Sequence, residues 1–111
     1  MDKETEQILN QAQIYQQQIQ TVIAQKSALN LEIREIKNAL EEIGKTRGES
    51  VFKISGPIMI KVDTKEIEKE LKEKEDMLSL RLKTIEKQER KLKEKIEELR
   101  SKLMKSRSNA G

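Results

Sequence analysis

Apolar side chains recur along the first forty residues in alternating steps of four and three. The series runs Ile8, Ala12, Tyr15, Ile19, Val22, Lys26, Leu29, Ile33, Ile36, Leu40 and Ile43, and only Lys26 interrupts it. Such spacing, held this long, marks the seam of a coiled-coil helix. The lone lysine reads as a register device. Eight Gln between Gln7 and Gln25 suit a helix and leave its outer face uncharged. Gly44 stands where a left-handed residue would end the helix.

A second heptad occupies the last part of the chain. Leu71, Leu78, Ile85, Leu92 and Leu99 repeat every seven residues. Their companions are Glu68, Glu75, Leu82, Glu89, Ile96 and Leu103, so the seam starts narrow and becomes apolar. Asp63 with Glu66 three residues on resembles a capping box and makes Asp63 the expected N-cap. Residues 2–43 and 64–105 are equal in length, about 63 Å each at 1.5 Å per residue. Equal helices and a compact connector predict an antiparallel pair. Both chain ends then meet at one tip, with Ile8 near Leu99 and Leu103.

The connector, residues 44–62, changes character. Val51, Phe52, Ile54, Ile58, Ile60 and Val62 favour strands, and Ser55-Gly56-Pro57 marks a turn. A three-residue loop there places Phe52, Ile54, Ile58 and Ile60 on one face. An isolated two-stranded hairpin is marginal in water and exposes its edges. This hairpin therefore calls for strands from other chains. The expected fold is mostly α: a long antiparallel two-helix coiled coil joined by a central β-hairpin that oligomerises. It forms one unit with segments 1–43, 44–62 and 63–105 and a flexible tail, 106–111.

Composition narrows the chemistry. The 111 residues include 23 basic and 20 acidic side chains, no Cys, His or Trp, one Tyr and one Phe. Disulfides, most zinc sites, thiol nucleophiles and the usual neutral-pH base are excluded. Two aromatics cannot anchor an ordinary globular core. No apolar run is long enough to span a membrane, and the polar opening MDKETEQ predicts no signal peptide. No cofactor is expected.

Charge is unevenly spread. Residues 1–43 are net −3, 44–62 net +3, 63–100 neutral and 101–111 net +3. The excess therefore lies in the connector and tail, and the near-balanced helices argue against nucleic-acid binding. Ala39 to Thr46 fits a relaxed phosphate-loop string, but Ala39–Ile43 belongs to the heptad helix and cannot wrap a phosphate. The carboxylates sit at helical spacing to Lys or Arg, as in Glu66, Glu70 and Lys74 or Glu86 and Arg90, which is a solvated face. An enzyme is not expected.

Apolar residues off the seams are more telling. Ile23, Leu31 and Leu80 are ordinary scatter. Leu9, Ile14, Tyr15, Leu103 and Met104 all fall at the open tip, where fraying would add Ile8 and Leu99. A flexible, Met-containing apolar tip suits varied partners.

The arrangement resembles the beta-type subunit of prefoldin, in a form close to the archaeal one. The stretch Val51-Phe-Lys-Ile-Ser-Gly-Pro-Ile-Met-Ile-Lys-Val-Asp63 looks like the family's hairpin and helix cap. Leu71–Glu75, Arg81–Arg90, Gln11–Gln20 and Gln25–Leu29 continue the likeness. One hairpin fits the beta type, since the alpha type has two. The resemblance implies a hexamer with two alpha-type and four beta-type subunits, whose hairpins form β-barrels. It implies an ATP-independent holdase of the cytoplasm that captures non-native clients and passes them to a group II chaperonin. The client-binding residues would be Ile8, Leu9, Ala12, Ile14, Tyr15, Leu99, Leu103 and Met104. Assembly would use Val51, Phe52, Ile54, Ile58, Met59, Ile60 and Val62. Arg100, Lys102, Lys105 and Arg107 would meet acidic residues of the chaperonin. The alternative is a scaffolding coiled coil that assembles through the same hairpin and ignores clients.

Overall fold

The computed structural model describes residues 2–46, 48 and 50–110. The element order is α1 (Lys3–Lys45), β1 (Ser50–Ser55), β2 (Ile58–Asp63) and α2 (Thr64–Ala110). Two compact units result, one from residues 1–27 with 83–111 and one from residues 28–82.

Helix α1 is capped by Asp2, which heptad spacing alone did not flag. The Thr5 amide donates to Asp2 Oδ1 at 2.7 Å, and the Glu6 amide donates to the Asp2 carbonyl at 3.1 Å. These bonds satisfy amides that lack partners in the first turn. At the other end, Gly44 does not stop the helix as expected. The Thr46 hydroxyl donates to the Glu42 carbonyl and its amide to the Ile43 carbonyl, both at 3.0 Å. Thr46 thus terminates the helical carbonyls, and Gly44 sits inside the last turn with ordinary helical backbone.

Helix α2 also overruns its predicted end. The sequence offers no Gly or Pro between residues 100 and 110, and the helix continues through the segment assigned to a flexible tail. Gly111 lies outside the described residues. At its start, Asp63 closes β2 directly before α2, and the Thr64 hydroxyl donates to the Gly48 carbonyl at 3.0 Å.

The seams are where the heptads put them. In the unit of the chain ends, Ile8, Ile19, Val22, Ile85 and Leu99 are buried. In the hairpin-side unit, Leu29, Ile33, Ile36, Ile67 and Leu78 are buried. Every α1 seam position is buried or half-buried. Ile67 was missed because the seam of α2 starts one residue off the Leu71 repeat, beside Glu68.

The hairpin register differs from the expectation. Ser55 pairs with Ile58, Ile54 with Met59, Lys53 with Ile60, Phe52 with Lys61 and Val51 with Val62. The loop is therefore two residues, Gly56 and Pro57, not three. Gly56 has φ +58°, the placement of a type II′ turn with glycine first. Directly opposed residues share a face, so one residue fewer in the loop exchanges the faces of β2. Phe52 and Ile54 share their face with Met59 and Lys61. Ile58 and Ile60 lie on the other face with Val51, Lys53 and Val62.

Candidate functional site

The hairpin leaves its apolar residues largely uncovered. Lys53 donates to Glu70 Oε1 at 2.8 Å, so the face holding Val51, Ile58, Ile60 and Val62 turns toward α2. Val51 and Val62 are half-buried and Ile60 is 44% exposed. On the averted face, Phe52, Ile54 and Met59 are 65%, 75% and 67% exposed. Ile58, beside the turn, is also exposed. Among the described residues the sheet has two strands only, so each strand keeps one unpaired edge. Free edges and uncovered apolar faces are what strand pairing with another chain consumes.

The predicted tip residues divide into two sets. Ile8 and Leu99 are buried and belong to the seam. Ala12, Tyr15 and Leu103 are half-buried. Leu9, Ile14 and Met104 are exposed and contribute little to holding the helices together. The Tyr15 ring carries the Lys95 amine 5.5 Å from its centroid, and its hydroxyl accepts from Gln11 Nε2 at 3.3 Å. All eight residues belong to the unit of the chain ends.

Arg100, Lys102, Lys105 and Arg107 are exposed along the last turns of α2. Arg100 lies 3.7 Å from Glu97. The phosphate-loop string is helical from Ala39 to Lys45, and the Lys45 amine sits 3.6 Å from Glu41 and 3.7 Å from Glu42.

Two carboxyl groups titrate below their ordinary range. The Thr5 amide and hydroxyl hold Asp2 down. The Lys26 hydrogen bond lowers Glu89 and outweighs the opposing effect of partial burial, and the charges of Lys26 and Lys93 add to the lowering. Among the described residues there is no metal-binding cluster of acidic side chains, and no helix is long and apolar enough to cross a membrane.

A family model described as prefoldin subunit matches residues 6–109. The chain belongs to the prefoldin family. It is 45% identical to prefoldin subunit beta of Thermococcus onnurineus over 97 residues, covering 86% of this chain and 84% of that one. It is 41% identical to prefoldin subunit beta of Pyrococcus furiosus, covering 86% and 83%. The crystal structure of the prefoldin beta subunit from Thermococcus strain KS-1 superposes with a TM-score of 0.89 at 37% identity. That match covers 95% of this chain and 93% of the other. The two helices and intervening hairpin are thus the beta-subunit fold, and the family is one of chaperones.

Proposed function

We propose that this prefoldin chain is a subunit of an ATP-independent holdase. It assembles through its hairpin with alpha-type subunits into a hexamer of two alpha and four beta chains. The hairpins close into β-barrels, which removes the free edges. Leu9, Ile14 and Met104, backed by Tyr15 and Leu103, capture non-native clients in the cytoplasm, and a group II chaperonin receives them. No step of this cycle needs a catalytic group or cofactor on the chain.

The observation that carries this reading is the exposure of Leu9, Ile14 and Met104 near the chain ends, although the seams do not use them. Several weak apolar tips around one client gain avidity without strong single contacts. The exposed cations Arg100, Lys102, Lys105 and Arg107 supply the chaperonin-facing surface. Trimming residues 1–9 and 100–111 tests the assignment. Suppression of client aggregation is expected to disappear while native mass is retained. Full protection by the trimmed protein would leave a scaffolding coiled coil as the better description.

A further inference from the structure

Beside the seam in the unit of the chain ends runs a groove of about 400 Å³. Val22 of α1 and Leu92 of α2 form its apolar floor, and Gln18, Gln88, Lys91 and Lys95 stand along its rim. No acidic side chain lines it. Lys91 and Lys95 have no carboxylate within ion-pairing distance among the described residues. Lys95 rests over the Tyr15 ring, which positions its charge without neutralising it. The facing stretch of α1 cannot compensate either, because residues 7–25 contain no charged side chain.

The hairpin-side unit supplies an internal control. Its own groove is lined by Glu32, Glu35, Ile36, Leu71 and Lys74 among others. Glu32, Glu35 and Ile36 stand two heptads beyond Gln18, Thr21 and Val22. Leu71 and Lys74 stand three heptads before Leu92 and Lys95. The same flanking positions thus carry balancing acids, Glu32 and Glu35, in one unit and the uncharged Gln18 and Thr21 in the other. Glu94 and Glu98 follow Lys91 and Lys95 by one turn but do not line the groove, so neutrality summed over residues 63–100 conceals a lining that carries two lysines and no acid.

We propose that the Lys91–Lys95 groove takes acidic stretches of polypeptide, with one apolar side chain entering between Val22 and Leu92. The chain thereby prefers clients whose exposed apolar residues are flanked by Asp or Glu. This rests on the reading of client capture given above and names the chemistry of the client. The apolar floor anchors the segment, and the two lysines select it by charge complementarity. The groove shares no lining residue with the apolar surface of Leu9, Ile14 and Met104, and only Lys95, over the Tyr15 ring, reaches toward it.

Fluorescence anisotropy on the assembled protein tests it. The probe is a dodecapeptide of Asp, Ser and Gly with one central Leu. Comparison peptides replace Asp by Ser, or Leu by Ser. Two exposed charge pairs should favour the acidic Leu peptide over the neutral one by about tenfold. That margin should vanish in Lys91→Gln with Lys95→Gln, shrink in high salt and survive in Lys91→Arg with Lys95→Arg. Protection of an aggregating client without acidic segments should be unchanged in the Gln variant.

Equal binding of acidic and neutral peptides, or an undiminished margin in the Gln variant, would overturn the proposal. Equally tight binding of the Leu-free acidic peptide or of short single-stranded DNA would also overturn it, by showing a bare polyanion surface. If the margin stands but the protein protects no client at all, the groove is real and the reading of client capture fails.

Discussion

Lys26, the single charged residue of the α1 seam, donates to Glu89 Oε1 of the α2 seam at 3.1 Å. Their side chains are 33% and 11% exposed, so the pair is partly withdrawn from water. Glu89 also receives Lys93 at 3.8 Å. Apolar layers on either side tolerate a shift of one heptad between the helices. A shift would leave Glu89 without Lys26, so the pair disfavours alternative registers.

Removing one partner should therefore cost more than removing both. Lys26→Met leaves the seam carboxylate of Glu89 with the exposed Lys93 as its remaining cation and should lower the melting temperature by several degrees. Lys26→Met with Glu89→Leu extends the apolar seam and should restore or exceed the wild-type value. Circular dichroism melts decide this. A double variant as unstable as the single one would contradict the pairing.

Acid should weaken the chain in a specific way. Glu89 is held below its ordinary value of 4.5 and Asp2 below 3.8. Their contributions are complete above those unfolded-state values and are lost as pH falls through the lower folded-state values. Urea midpoints should fall as the pH drops below about 4.5, and Glu89→Gln should make that fall shallower. An identical acid limb in wild type and variant would remove Glu89 from the account.

Two glycines should respond oppositely to alanine. Gly44 lies in the last turn of α1, with open space where a Cβ would go and a negative φ. Gly44→Ala should stabilise the helix by about 0.5 kcal/mol. Gly56 also has open space but sits at φ +58°. Gly56→Ala should cost about 1 kcal/mol from backbone strain alone. Denaturant titration of both variants reads the signs directly.

The hairpin should govern assembly. Phe52→Asp with Ile60→Asp places a charge on each face of the two-stranded sheet. The hexamer mass in sedimentation, measured with the alpha-type subunit present, should be lost while helical content remains. A full-mass hexamer from this variant would sink the assembly reading.

Much of this architecture was legible in the sequence because seams, β-formers and turn residues act through local periodicity. Ile8 to Ile43 and Leu71 to Leu103 line the seams as their spacing dictates. The misreadings lie where one residue or one tertiary partner decides. A loop of two residues instead of three moved Ile58 and Ile60 away from Phe52. Thr46 carried α1 past Gly44. Lys26 and Glu89 were each visible as polar seam residues, but their pairing needs the register between two distant segments. The candidate tip divided because Ile8 and Leu99 carry seam burial as well as position. The charge of the Lys91–Lys95 groove was hidden by averaging along the helix.

Under the proposed function, client capture resides in exposed apolar side chains that the fold does not need. Trimming the ends removes Ile8, a buried seam residue, so substitution is the cleaner measurement. Leu9→Ser, Ile14→Ser and Met104→Ser together leave the seams intact. Light scattering of a denatured client, in the presence of hexamer built with this triple variant, reads capture directly. Full hexamer mass with protection largely lost is the expected result; full hexamer mass with undiminished protection would place client capture elsewhere.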